Sequence, residues 1–409
     1  MADRPLRFLH ASDLHLELPL EGVAHVPASL RELFRDAPYR AALRLFDHAL
    51  ADQVDFVVLA GDVIDFDTCG SRGLAWLVEQ FERLKSAGIG VYWSSGVAEM
   101  STSMPVEVRW PANVKLFWSS RPADAVHCRS DGTPVAHIVA QGRSDDGCIR
   151  PESFWPHAAG LPSIAIIHGR IDTAALASRG IHYWALGGRH EAATLLESPT
   201  VVHYPGTIQG RGPSQVGMHG CTLVEWSPDG LPRTVPIACD AARWSRLDVT
   251  VDPQTTREQL QRTMKDRVAQ MSAVDPSVPL LVSWQVRGDG PLASQLRRGR
   301  LAAEILGWLR SEFGSRSPDV WSVALDVDMP PPRIPDEHDE TMLGFYLRTI
   351  DEMTTRADSD RLDLSAYLGE AESAESHHAR LPDAAAETRI LRQAALLGID
   401  LLAGEETHS

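Results

Sequence analysis

Six short apolar runs in the first two hundred residues, each ending on small or polar side chains, limit what this chain can fold into. They read LRFLHASDLH (6–15), VDFVVLAGDVID (54–65), IGVYWSSG (89–96), SIAIIHG (163–169), IHYWALGGRH (181–190) and TVVHYPGT (200–207). Continuous runs of this length, rich in β-branched residues, predict strands buried on both faces. Helical patterns separate the first three: PYRAALRLFDHALADQ (38–53) and RGLAWLVEQFERLKSAG (72–88), the second closing on Gly88. Alternation of this kind predicts an α/β layered fold, which places its chemistry beyond the carboxyl ends of the strands.

A second unit is expected from Trp244. The strand patterns WSRLDVTV, PLLVSWQVRG and VWSVALDVDM alternate with helical patterns over 253–271 and 291–313, which makes a small α+β module. The proline-rich MPPPRIPDEHDE (329–340) reads as a linker, followed by a short helix and flexible acidic stretches. An amphipathic helix over 383–406 carries a stripe of Ile390, Leu391, Ala394, Leu397, Leu401 and Leu402. The expected domains are therefore 1–240, 241–330, a linker with a short helix at 331–385, and a C-terminal partner-binding helix at 386–409.

Charge and cysteine usage narrow the setting. The net charge is −16, but 17 acidic and 6 basic side chains lie from Asp336 onward, so residues 1–335 carry only −5. The body is thus compatible with an anionic partner, while the tail reads as a solvated segment. Five scattered cysteines without CxxC spacing argue against a disulfide framework or a zinc knuckle and fit a reducing cytoplasm. No targeting segment and no membrane span are read in the sequence.

The strand ends carry the candidate chemistry. Asp13 and His15 follow the first run, Asp62 the second, His168 the fourth and His190 the fifth. Hard carboxylates mixed with imidazoles suit Mn²⁺, Fe²⁺ or Zn²⁺, and a shared carboxylate can bridge two ions that clamp an in-line phosphoryl displacement. Of the other candidates, His10 reads as core, Asp65 as a loop-orienting carboxylate, Arg189 as a phosphate contact or a plain surface arginine, and RRGR (297–300) as a solvated helix face. Glu99 reads as a solvated loop carboxylate.

Taken together, SDLH, GDVID, GVAE, HG and GGRH, in that order, resemble the D-x-H, G-D-x-x-D, G-N-H-D, G-H and G-H-x-H motifs of calcineurin-like metallophosphoesterases. Within them the similarity is to the SbcD/YhaO-type DNA-repair exonucleases. The likeness extends over about 330 residues, including HYPGTIQGRGPSQVGMHGCTLVEW (203–226), which looks like that branch's glycine-rich strand pair, and a following capping module. It implies a sandwich of two β-sheets flanked by helices, then a small α+β capping domain and a helical tail. It implies a first metal on Asp13, His15, Asp62 and His190, and a second on Asp62, His168 and two further side chains. Those two positions are Val97 and Gly188 here, and the family's proton-donating histidine is Ala98. The expectation is a divalent-metal phosphodiesterase, with Mn²⁺ first and Fe²⁺ or Zn²⁺ as alternatives, one occupied site and one weak or absent, with His190, Asp62 and His168 as catalytic groups. Its implied partners are DNA ends, an SMC-like coiled-coil ATPase engaged by the C-terminal helix, and a second copy of the chain. The alternative is an inactive scaffold that binds DNA or such an ATPase.

Overall fold

Strand β2 (Phe56–Ala60, FVVLA) is buried at every residue, as a central strand covered on both faces must be. In the computed structural model it lies in a six-stranded sheet with β1 (Leu6–Ala11), β3 (Gly90–Ser94), β4 (Val114–Phe117), β11 (Gly220–Trp226) and β12 (Arg233–Ala238). The order is β12-β11-β1-β2-β3-β4, with β1 to β4 parallel and β11 and β12 antiparallel. A second six-stranded sheet holds β5 (Ala123–Cys128), β6 (Pro134–Ala140), β7 (Ser163–His168), β8 (Tyr183–Gly187), β9 (Ala193–Leu196) and β10 (Val201–Tyr204), in the order β5-β6-β7-β8-β10-β9. The structure describes residues 4–23, 26–100, 108–143, 150–227, 230–314, 320–328, 341–355 and 384–402.

Two apolar layers follow from the period-two alternation of these strands. Phe8, Phe56, Val58, Ile164, Ile166 and Tyr183 fill the space between the sheets, with Phe8 and Phe56 stacked at 4.9 Å. Leu9, Val57 and Leu59 face the other way, onto α1 (Arg31–Ala51) and α2 (Gly70–Ser86), through Leu45, Phe46, Leu77 and Phe81. The result is the expected α/β sandwich, two mixed sheets flanked by helices.

Local differences have local causes. Helix α1 begins seven residues before Pro38 and keeps that proline in its interior; the Phe34 carbonyl, which a Pro38 N–H would have met, accepts from the Leu20 N–H at 2.9 Å instead. The stretch 203–226 is not a strand pair. Strands β10 and β11 belong to different sheets, and the glycine-rich segment between them is a loop that crosses from one to the other. The helix expected over 291–313 is broken by Gly299 at φ +84° into α4 (Pro291–Arg297) and α5 (Arg300–Phe313), so RRGR marks a turn rather than one helix face.

The chain divides into two compact units: Met1–Ser245 with Asp275–Leu281 and Arg316–Val320, and Arg246–Val274 with Val282–Ser315 and Trp321–Ser409. Strands β13 (Arg243–Val251), β14 (Leu280–Gly288) and β15 (Val320–Val327) form a three-stranded sheet, and α3 (Arg257–Val274), α4 and α5 belong to the second unit. The proline-rich 329–340 and the acidic stretches of 356–383 lie outside the described residues.

The second unit also contains α6 (Met342–Thr355) and α7 (Ala384–Leu402). Part of the apolar stripe expected to seek a partner is covered by the chain itself: Leu391 is buried, and Ala395, just outside that stripe, packs with Leu343 and Leu347 of α6. The Tyr346 hydroxyl donates to Ala394 O at 2.7 Å, and the approach is close enough that only a glycine fits at Gly398. Leu397 and Leu402 stay exposed, as do Met342 and Phe345 of α6. No helix among the described residues is long and apolar enough to cross a membrane.

Truncating the inter-sheet layer is costly. Phe56→Ala is expected to lower stability by about 3–5 kcal/mol, a loss read as an earlier urea midpoint.

Candidate metal centre

Three non-glycine residues of the cleft have left-handed backbones: Asp13 (φ 53°), His15 (φ 43°) and Asp62 (φ 53°). Gln53, in the turn after α1, is the other such residue among those described. A left-handed conformation strains a residue with a Cβ, and such strain gathers at functional sites where the surroundings over-determine it. Here the ends of β1 and β2 are tied together: Asp13 N–H donates to Gly61 O and His15 N–H to Asp62 O, both at 3.0 Å.

The five residues singled out in the sequence meet beyond the carboxyl edge of the strands. His168 Nε2 lies 3.3 Å from Asp62 Oδ2, His15 Nε2 3.8 Å from the same oxygen, and His190 Nε2 3.8 Å from Asp13 Oδ1. The rings of His15 and His190 meet edge to face at 5.8 Å. Two triplets have ligand atoms within 4.8 Å of one another, Asp13/His15/His190 and Asp13/Asp62/His168. Asp13 is therefore common to both, while Asp62, expected to be the bridge, joins His15 and His168.

The donor set fits a divalent cation. Asp13 is fully buried and its Oδ1 has no hydrogen-bond partner among the described residues, an arrangement that costs free energy unless a cation completes it. His168 is oriented as a ligand would be: its Nδ1 donates to Ala60 O at 2.9 Å, which leaves the Nε2 lone pair facing the cleft. His190 differs. Gln215 Oε1 is occupied by the Arg211 N–H at 2.7 Å, so its amide N–H group faces His190 Nδ1 at 2.8 Å. In the neutral ring that places the proton on Nε2, and ligation through Nε2 requires the Gln215 amide to turn.

The loops that lack the expected ligands contribute backbone instead. Ala98 N–H donates to Asp62 Oδ1 at 2.8 Å, and Gly188 N–H donates to Asp13 Oδ2 at 2.9 Å beside the Ser12 hydroxyl at 2.6 Å. Val97 turns out to solvent. Gly188 has φ +90°, and a Cβ there would stand 3.0 Å from His168 Nε2.

Glu99 corrects a sequence expectation. It is buried rather than solvated, and it stands under the cleft rather than in it. Oε2 accepts from the Gly96 N–H (2.7 Å) and the Asp62 N–H (3.0 Å), and Oε1 from the Val63 N–H (2.7 Å) and Trp93 Nε1–H (3.3 Å). A buried carboxylate with four donors clamps the β2 end to the β3 end. Burial and the nearby Asp62 charge push its pKa up, against those N–H groups. Sequence reading also missed Gln215, Ser12 and Thr207, whose hydroxyl donates to Asp13 O at 2.7 Å. Nothing in the spacing marks Gln215 or Thr207, because their partners lie far away in the chain, and Ser12 beside Asp13 looks like any strand-end serine.

The remaining histidines lie elsewhere. His10 is buried between the sheets against the Tyr183 hydroxyl at 3.0 Å, as its apolar surroundings suggest. His203 bridges Thr194 and Thr222, and burial lowers its pKa to about 4. Asp65 caps its own loop, accepting from the Asp67 N–H at 2.8 Å.

Residues 6–183 match the family model of the calcineurin-like phosphoesterases. Asp13, His15, Asp62 and His168 lie inside the calcineurin-like match, and His190 lies seven residues beyond its end. A metallophosphoesterase of uncharacterized function from Bacillus subtilis, YhaO, is 26% identical over 380 residues, which cover 89% of each chain. Both findings are similarities to metallophosphoesterases, the first over residues 6–183 and the second over most of the chain. A dimetal phosphatase from Danio rerio is similar at 11% identity and a TM-score of 0.34, covering 57% of this chain and 99% of that one.

Charge pairing in the cleft makes the metal-free stability pH-dependent. Burial alone would raise the Asp62 carboxyl, but His168 outweighs it and holds the group at about 2. Burial would likewise lower His168, and Asp62 reverses this to about 9. The histidine's contribution is complete below its ordinary 6.5 and is lost as pH climbs through about 9; the aspartate's is complete above 3.8 and is lost as pH falls through about 2. EDTA-treated protein should therefore show a thermal midpoint that declines from pH 7 to 10, and His168→Asn should flatten that decline.

Proposed function

We propose that this chain is a metal-dependent phosphodiesterase of the DNA-exonuclease type, working from a single-ion site at reduced rate. The reading is carried by the way the two carboxylates are engaged. Asp13 Oδ2 and Asp62 Oδ1 are occupied by N–H and O–H donors from the protein, whereas Asp13 Oδ1 and Asp62 Oδ2 face His15, His168 and His190. Asp13, Asp62, His15 and His168 would hold the ion, with His190 completing the set once Gln215 turns. A bound divalent metal polarises a phosphoryl oxygen and lowers the pKa of water at neutral pH.

The chain's own groups divide the remaining work. The left-handed turns at Asp13 and Asp62 aim both carboxylates into one point, and the Glu99 clamp keeps the Asp62 turn from relaxing. Until Gln215 turns, His190 is not a ligand: its Nε2–H, 3.8 Å from Asp13 Oδ1, is then free to offer a proton to a leaving oxygen, and the ion rests on the other four side chains. No side chain beyond Cβ stands at Ala98, where the related motif carries its acid. Losing such a group typically costs about 10²–10⁴-fold in rate, which is the basis for the reduced-rate reading.

DNA as substrate rests on the sequence resemblance to the exonuclease branch. Engagement of an SMC-like ATPase, if the same resemblance holds, would use the exposed Met342, Phe345, Leu397 and Leu402 of the α6–α7 pair. Metal analysis and turnover test the reading together. Purified protein should hold about one Mn²⁺ per chain and hydrolyse bis-p-nitrophenyl phosphate and DNA slowly, with both properties lost in Asp62→Ala. Activity that survives Asp62→Ala, or a metal-loaded protein with no turnover, would reject the hydrolase and leave the scaffold.

A further inference from the structure

Three adjacent parallel strands of the second sheet each run out into an arginine at the same edge. Arg143 lies three residues past β6, Arg170 two past β7, and Arg189 two past β8. Ala140 pairs with Ile166 and His168 with Gly187, so the three stand at matching heights on neighbouring strand ends. Adjacent strands are spaced about 4.8 Å apart. The backbone beneath is fixed: Arg143 N–H donates to Ser95 O at 3.2 Å, Gly169 N–H to Gly187 O at 2.9 Å, and the Tyr204 hydroxyl to Gly169 O at 2.7 Å.

These cations are not consumed by the fold. Among the described residues neither Arg143 nor Arg170 makes an ion pair. Arg189 approaches only Glu191, at 3.8 Å, and that carboxylate is 83% exposed. Arginines elsewhere on the same unit are neutralised at shorter range, such as Arg83 on Asp47 at 2.7 Å and Arg129 on Asp55 at 2.8 Å. The row borders the side of the cleft formed by His168 and Gly188, where the related motif would supply another metal ligand. Burial and Asp13 raise the Tyr204 phenol, and Arg189 and Arg170 pull against that rise.

A planar guanidinium matches two phosphate oxygens at once, and an unpaired one does so without first breaking an ion pair. One reacting phosphate has no use for three such groups on successive strands. We propose that Arg143, Arg170 and Arg189 form a phosphate-binding rim that holds the non-reacting phosphates of a linear phosphodiester chain while one phosphate enters the Asp13/Asp62 cleft. The rim deepens the hydrolytic reading and rests on it for the identity of the cleft, but its binding can be measured without turnover.

The test uses full-length, Mn²⁺-loaded protein and a fluorescein-labelled phosphorothioate dT12, which keeps its charges and resists cleavage. Anisotropy titrations at several NaCl concentrations should show the R143Q/R170Q/R189Q triple variant binding at least tenfold more weakly. The slope of log K against log salt should be shallower by about 2, from about 0.7 per lost phosphate contact to a single strand. Arg233→Gln, at the distant start of β12, should change neither quantity. Equal metal content and thermal midpoint show that the triple variant is folded, and single variants with intermediate slopes give the same answer should it not be. Where cleavable dT12 is turned over, KM should rise with kcat unchanged. Binding within twofold of wild type, an unaltered salt slope, an equal loss in Arg233→Gln, or no binding by the wild type would each overturn the rim. Absence of hydrolysis of bis-p-nitrophenyl phosphate bears on the hydrolytic reading alone.

Discussion

The carboxylate of Glu99 is the tie on which the cleft depends. A turn at Asp62 with φ 53° is held open against its own preference, and the N–H groups it exposes point inward, away from water. Glu99 collects those donors together with the Gly96 N–H, so the ends of β2 and β3 share one buried acceptor. Remove that acceptor and two left-handed residues, Gly61 and Asp62, lose their reason to stay where they are. The aim of Asp62 at the histidines is then no longer determined.

The glycines around the cleft make this geometry possible. A Cβ at Gly61 would strike His168, one at Gly96 would strike Asp62, and one at Gly187 would strike Ala60 O. Strand ends from two different sheets therefore converge closely enough for side chains of one to reach the backbone of the other, as His168 does when it donates to Ala60 O. Such packing positions carboxylates and imidazoles within a few ångströms without any flexible linker.

Much of this could be read from the sequence, and the reason is periodicity. Buried parallel strands leave continuous apolar runs, and their ends are marked by polar residues, so the sandwich and the positions of Asp13, His15, Asp62, His168 and His190 were accessible. Glu99 was not, because a charged residue in a loop looks the same whether it faces water or four buried N–H groups. Gln215 and Thr207 were hidden for a related reason: each acts on a strand end about 25 or 194 positions away in sequence. The loop from 205 to 219 was misread as part of a strand pair because its flanks, β10 and β11, are true strands that belong to separate sheets.

Gly188 has a consequence for any attempt to add a ligand to this cleft. Its φ of +90° and the His168 ring 3.0 Å from where a Cβ would stand mean that a histidine placed there meets strain before it can bind an ion. A ligand on the other loop would need Val97 or Ala98 to change, and the Ala98 N–H to release Asp62. Each such replacement first disturbs the backbone that holds Asp13 and Asp62. The two loops therefore resist enrichment one residue at a time.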